Sequence, residues 1–197
     1  QLGGRYRYDA EPAAVMGLTP GAPDASFQVL GNISSLPSGA RLVIFNTGAT
    51  QFYNAAATGA GGIISPLSTS LTLVDNGTED QISLSTAYQF DNSGNGSPGR
   101  RFYIATTPVS YVCDLSSGTL VRYGGYNLSA SQPTNPATTP LSAAPNQALI
   151  SDLISACDFD YTPGSNSRSG LLVIDLTLSL EGESIQLLHQ IQVSNVP

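Results

Sequence analysis

The clearest pattern in the chain lies at its C-terminal end. Leu172, Ile174, Leu176, Leu178 and Leu180 alternate with Val173, Asp175, Thr177 and Ser179. After EGES at 181–184 the alternation resumes with Ile185, Leu187, His189, Ile191 and Val193 on one phase. A period of two with one apolar phase is the signature of a strand with one face toward a core, and EGES between two such runs turns the chain. The segment therefore predicts a C-terminal β-hairpin whose leucine and isoleucine phase faces inward. RFYIAT (101–106), PVSYVCD (108–114) and TLVRYGGY (119–126) also read as strands, the last two joined as a hairpin through LSSG at 115–118. Earlier, ARLVIFN at 40–46 reads as a buried strand. Further strands at 69–75 and 81–86 flank the turn residues Asp75, Asn76 and Gly77, and the three runs together suggest a meander.

Other stretches break this pattern. Residues 1–40 are rich in Gly, Pro and Ala and read as irregular, with Phe27, Val29 and Leu30 as a short strand. The Ala/Gly-rich stretch 55–62 and DNSGNGSPG at 91–99 read as loops. Residues 127–147 carry four prolines and almost no large apolar side chains, the composition of a long surface loop. ALISDLISA at 148–156 places Leu149, Ile150, Leu153 and Ile154 on one helical stripe, with Asn146 after Pro145 as N-cap, and so predicts one short helix. The fold expected from the whole is α+β, mainly antiparallel β, in a single domain over 1–197 with no internal boundary.

Composition narrows the functional classes. Hydrophobic residues make up 41% of the chain and charged residues only 11%, so the surface is built from Ser, Thr, Asn, Gln and Gly, in the manner of exported proteins. All seven basic residues are Arg and the net charge is −7, which repels a phosphate backbone and argues against nucleic-acid binding. No apolar run approaches the roughly 18 residues that span a bilayer, and the first residues lack a signal-peptide layout, so the chain reads as soluble. Cys113 and Cys157 match no zinc or redox spacing. A single structural disulfide is the better reading, with two buried free thiols as the alternative.

Candidate chemistry is sparse. His189 is the one histidine, so any Ser-His-Asp or metal hypothesis must use it. It lies on the inward phase of the last strand, where a half-buried, hydrogen-bonded histidine is the ordinary explanation, and no GxSxG, HExxH or SxxK motif accompanies it. Asp91, Ser93 and Asn95 with Gly96 resemble the opening of a calcium loop, but its twelfth position would be Phe102, which supplies no carboxylate. Asp75, Asn76, Glu79 and Asp80 form a second acidic turn, ordinarily a solvated cap. Glycosidase carboxylate pairs are not visible in a sequence, and the chain has no Trp for a sugar platform. Sequons at Asn32, Asn76 and Asn127 matter only in a eukaryotic secretory pathway. No catalytic residue and no cofactor is assigned, and an enzyme is not expected.

PVSYVCDLSSGTLVRYGGY (108–126), LISDLISACDFDYTPG (149–164) and SGLLVIDLTLSLEGESIQLLHQIQVSNVP (169–197) resemble the minor prepilins of the MSHA pilus, MshO-like proteins. They also look like the wider group of PilW minor type IV pilins and type II secretion J pseudopilins. The first half resembles them only through GGRYR at 3–7. The resemblance implies a pilin-type globular head of two packed sheets, one short helix and the C-terminal hairpin, with Cys113 paired to Cys157 in the periplasm. It further implies an N-terminal helix, not contained in this sequence, that anchors the subunit in the inner membrane and later packs in the filament. The subunit would face the periplasm before assembly and then stand in the extracellular pilus. Its partners would be other minor pilins and the major pilin, and its task assembly initiation at the tip. Loss of the helix would expose an apolar groove. The alternative is an adhesin displaying a glycan-binding surface on its Gly/Ser-rich loops and the 127–147 excursion; an extracellular hydrolase is the remote one.

Overall fold

The computed structural model describes residues 2–8, 16–46, 62–90, 96–127, 131–164 and 168–193. These residues contain strands and no helix. The chain falls into two compact units, the first ending at Thr106 and the second beginning at Thr107.

In the first unit, β1 (Leu2–Arg5), β6 (Arg101–Ala105) and β3 (Arg41–Ile44) form one antiparallel sheet with β6 in the middle. A second has the order β2 (Pro23–Gln28), β5 (Gln81–Gln89), β4 (Leu71–Val74). Of the expected meander, β4 and β5 do pair, Leu71 opposite Leu84, but β3 pairs with β6 instead, Ile44 opposite Phe102. The β-branched, apolar composition of β3 explains its place, since all four of its residues are buried. β1 was not expected, because LGGR carries no alternation. Its glycines let its backbone lie against Phe102: a Cβ on Gly3 would stand 2.5 Å from the Phe102 carbonyl oxygen. The core gathers Phe27 between Tyr6 and Phe102, both edge-to-face at centroid distances of 6.3 and 5.7 Å, with Leu18, Leu42 and Ile82.

One charged residue enters this unit's interior. Arg41 is 1% exposed; its Nε donates to the Ser65 carbonyl at 2.6 Å, while Nη1 and Nη2 have no hydrogen-bond partner. Burial pulls its pKa below the ordinary arginine value.

The second unit holds two further antiparallel sheets, β7 (Val109–Asp114), β8 (Thr119–Gly124), β9 (Asn146–Ser151) and β10 (Ile154–Thr162), β11 (Gly170–Leu180), β12 (Glu183–Val193), each in that order. The expected α+β class and its helix are thereby corrected. The architecture is all-β, in four small antiparallel sheets rather than two packed ones, and the stretch 148–156 runs through β9 and β10. A short apolar run satisfies either period, and here Ser151, Asp152 and Ser155 disfavour a helix interior. Both halves find strand partners: β9 pairs with β8, Leu149 opposite Val121, and β10 with β11, Phe159 opposite Ile174. The Pro-rich excursion before β9 also does more than cover a surface. Leu141 within it is fully buried, in a cluster with Tyr123, Tyr126 and Ala144.

The C-terminal hairpin is present with an unbroken register from Gly170 opposite Val193 to Leu180 opposite Glu183. Its turn narrows to Glu181 and Gly182, whose φ values of 51° and 86° are both positive, as a two-residue turn matched to strand twist requires.

Candidate functional site

Residues directly opposite one another in an antiparallel sheet share a face. The register therefore assembles one continuous apolar surface on the β10–β12 sheet, in rows Tyr161, Leu172, Ile191; Phe159, Ile174, His189; and Cys157, Leu176, Leu187, ending at Ile154, Leu178 and Ile185. The other face is largely polar, with Asp158, Asp160, Asp175, Gln186 and Gln190.

The alternation predicts this apolar face as inward, and here the outcome differs. The grouping of residues holds, but every described residue of β12 up to Gln192 is exposed, Ile185 by 66% and Leu187 by 51%, and Phe159 and Tyr161 are more than a third exposed. The described unit buries few large apolar side chains, and β11 and β12 run eleven residues each, longer than the other strands. The result is an open apolar face of a size that monomeric proteins rarely leave to water.

At one end the face becomes a groove. A cavity of about 600 Å³ lies between it and the β7–β8 hairpin, lined by Val109, Tyr111 and Leu120 on one side and Phe159, Leu172 and Ile174 on the other. The Cys113–Cys157 disulfide joins the walls, with a Cα–Cα distance of 6.6 Å, and leaves no free cysteine. Its half-cystines sit opposite Leu120 and Leu176, two residues of the groove lining, so the crosslink fixes the spacing of the walls. The hydroxyl of Ser110, one of the groove-lining residues, shares a buried 2.6 Å hydrogen bond with that of Tyr126. At the other end, Leu153, Leu178, Leu180 and Ile185 line a second depression of about 510 Å³. The groove walls are mainly aliphatic and aromatic, with Ser110 and Gln132 among them, while Ser179, Glu181, Glu183 and Ser184 share the second depression; a groove of the first kind binds chiefly by area and shape, the property of a docking surface.

The sequence-derived candidates fall apart spatially and chemically. His189 lies on the apolar face, exposed rather than half-buried; its neighbours there by register and along the strand are Ile174, Leu172, Leu176, Leu187 and Ile191. None of these neighbours carries a carboxylate or hydroxyl that could orient an imidazole. Asp91, Ser93 and Asn95 lie outside the described residues. In the other acidic turn, Glu79 takes two hydrogen bonds from Arg7, at 2.7 Å from Nε and 2.6 Å from Nη2, and this pairing holds its carboxyl below the ordinary range. Buried Asp80 accepts from the Ile33 amide at 2.7 Å and from Asn32, and Asp75 accepts from the Gly77 amide at 2.8 Å. These carboxylates cap and tie loops, and no cluster of three potential metal ligands exists among the described residues.

Tyr111, Phe159 and Tyr161 were not singled out from sequence; their signal was alternation within PVSYVCD and CDFDYT. Leu188 was also passed over, although it interrupts the polar phase of β12. The chain matches no known protein family model, no curated protein and no solved structure.

Proposed function

We propose that this chain is the head of a filament subunit of the minor-pilin type, a structural protein that joins an assembly through apolar packing. The observation that carries the reading is the open apolar face of the β10–β12 sheet. Three features support it: the likeness of segments 108–126, 149–164 and 169–197 to minor prepilins, the single disulfide suited to an oxidising compartment, and the charge-poor surface. Eleven-residue strands give the face a length of roughly 35 Å. An apolar helix of about 20 residues is roughly 30 Å long. The stem helix implied by the resemblance matches that span and is the occupant this reading assigns to the face. The head then stands outside the inner membrane before assembly and in the extracellular filament afterwards, with other minor pilins and the major pilin as partners.

The test is the sequence that precedes Gln1 in the full gene product. A Gly followed by Phe or Met and an apolar run of about 20 residues with Glu at its fifth position supports the reading; a conventional signal peptide with a small-residue cleavage site refutes it. In residues 1–197 alone, Ile185→Asp with Leu187→Asp leaves the head folded, because both side chains are exposed there; in a full-length protein of the first kind the same pair loosens the stem helix from the face, and limited proteolysis then releases an intact head faster than from the unsubstituted protein.

A further inference from the structure

The outer edge of β12 carries a second feature, separate from the apolar face. β12 ends its sheet, runs eleven residues with no register shift, and contains no Lys, Arg or Pro, the devices that ordinarily keep an edge strand from pairing. Its sequence is close to palindromic about Leu188: Ile185-Gln186-Leu187-Leu188-His189-Gln190-Ile191. From this we infer that β12 pairs antiparallel with β12 of a second copy of the chain, on a two-fold axis through Leu188.

The register follows from the backbone. The Ser179 amide donates to Leu153, on the β10 side, so the even-numbered residues of β11 direct their backbone groups to β12. Leu180 and Glu183 flank a two-residue turn and form a hydrogen-bonded pair, so the odd-numbered residues of β12 bond inward. Ser184, Gln186, Leu188, Gln190 and Gln192 then point their amides and carbonyls outward. Centring two copies on Leu188 sets these residues opposite one another and forms about ten backbone hydrogen bonds.

Every side-chain pair this creates is compatible. On the apolar face Ile185 meets the partner's Ile191, and Leu187 meets the partner's His189. On the polar face Gln186 meets the partner's Gln190, and Ser184 meets the partner's Gln192. Glu183, the one charge on the strand, meets the partner's Val193, so no like charges oppose. The pairing also accounts for Leu188. It is the one apolar residue of β12 on the polar face, stands opposite Asp175 in β11, and is 64% exposed. On the axis it packs against its own copy. The joined sheets continue both apolar faces across the seam, which favours a second copy over an unrelated strand as the occupant.

The axis makes the test specific. Sedimentation or light scattering of the chain should give twice the 20.4 kDa monomer mass. Leu188→Lys and Leu188→Glu, both folded by circular dichroism, should each be monomeric, while an equimolar mixture returns to the dimer, because opposite charges then meet on the axis. Leu188→Cys should crosslink to itself under mild oxidation, since opposed residues of a hydrogen-bonded pair stand about 5.5 Å apart at Cα. Leu149→Cys, equally exposed on another sheet, should not. A wild-type monomer at several hundred micromolar overturns the inference, as does a dimer that survives Leu188→Lys or leaves Leu188→Cys uncrosslinked. The inference does not rest on the filament reading, and either can fail while the other stands.

Discussion

Reducing the Cys113–Cys157 disulfide is the perturbation with the largest expected effect on stability. The bond closes a loop over a sequence separation of 44. In the chain-entropy treatment, opening such a loop gives the unfolded chain back about 4 kcal/mol of freedom at 25 °C. Domain stabilities lie at about 5–15 kcal/mol. The second unit has a small buried cluster around Tyr123, Tyr126 and Leu141, so the crosslink is a large share of what holds it together. Both cysteines lie in that unit, on β7 and β10, and its loss should be local. Hydrogen exchange read by mass spectrometry separates the two units. On reduction, amides in β7–β12 that exchange by unfolding of their unit should exchange about a thousandfold faster, the equivalent of 4 kcal/mol, while those of β1–β6 keep their rates. The Cys113→Ala, Cys157→Ala double variant should behave as the reduced protein does. An acceleration below tenfold, or one shared equally by β1–β6, would refute the argument.

Three further outcomes follow from local chemistry. Glu79 is held below the ordinary carboxylate range by Arg7 and Asp114 by the Ser116 and Ser117 hydroxyls, so each contributes stability that is present above its unfolded pKa and is lost as pH falls through its lower folded value; melting temperatures between pH 6 and 2 should fall, and fall less steeply in Glu79→Gln and Asp114→Asn. Replacing Arg41 by Met removes an imperfectly paired buried charge at similar volume and should leave stability unchanged or raise it by about 1–3 kcal/mol in urea titration, whereas Arg41→Ala, which adds a cavity, should lower it relative to Met. At the hairpin turn, Gly182→Ala should cost about 1 kcal/mol because φ is 86° there, while Glu181→Asn, which tolerates positive φ, should raise the melting temperature.

How much was readable beforehand follows the range of the interactions concerned. β11 and β12 are long, keep one phase apolar with only Leu171, Val173 and Leu188 breaking the other, and flank a turn, so local pattern alone specifies the hairpin. Leu149, Ile150, Leu153 and Ile154 satisfy a helical stripe equally well, and only pairing with Val121 and Leu178, 28 and 24 residues distant, selects strands. β1 was invisible because Gly3 and Gly4 serve by what they lack, a Cβ that would strike Phe102. For the site, alternation correctly groups Leu172 through Ile191 on one face but is silent on whether anything covers it. The disulfide was legible from cysteine usage, while the groove it braces depends on Tyr111 and Phe159, brought together across 48 positions.

The same crosslink has a mechanical side. A pull applied at the two ends of the chain passes from β7 directly into β10 through the sulfur atoms, so β8, β9 and the Pro-rich excursion between the cysteines bear no load. Forced unfolding of the second unit would release roughly 150 Å less extended chain with the bond intact than after reduction, giving a unit that yields in a short step and then resists as a covalent tether.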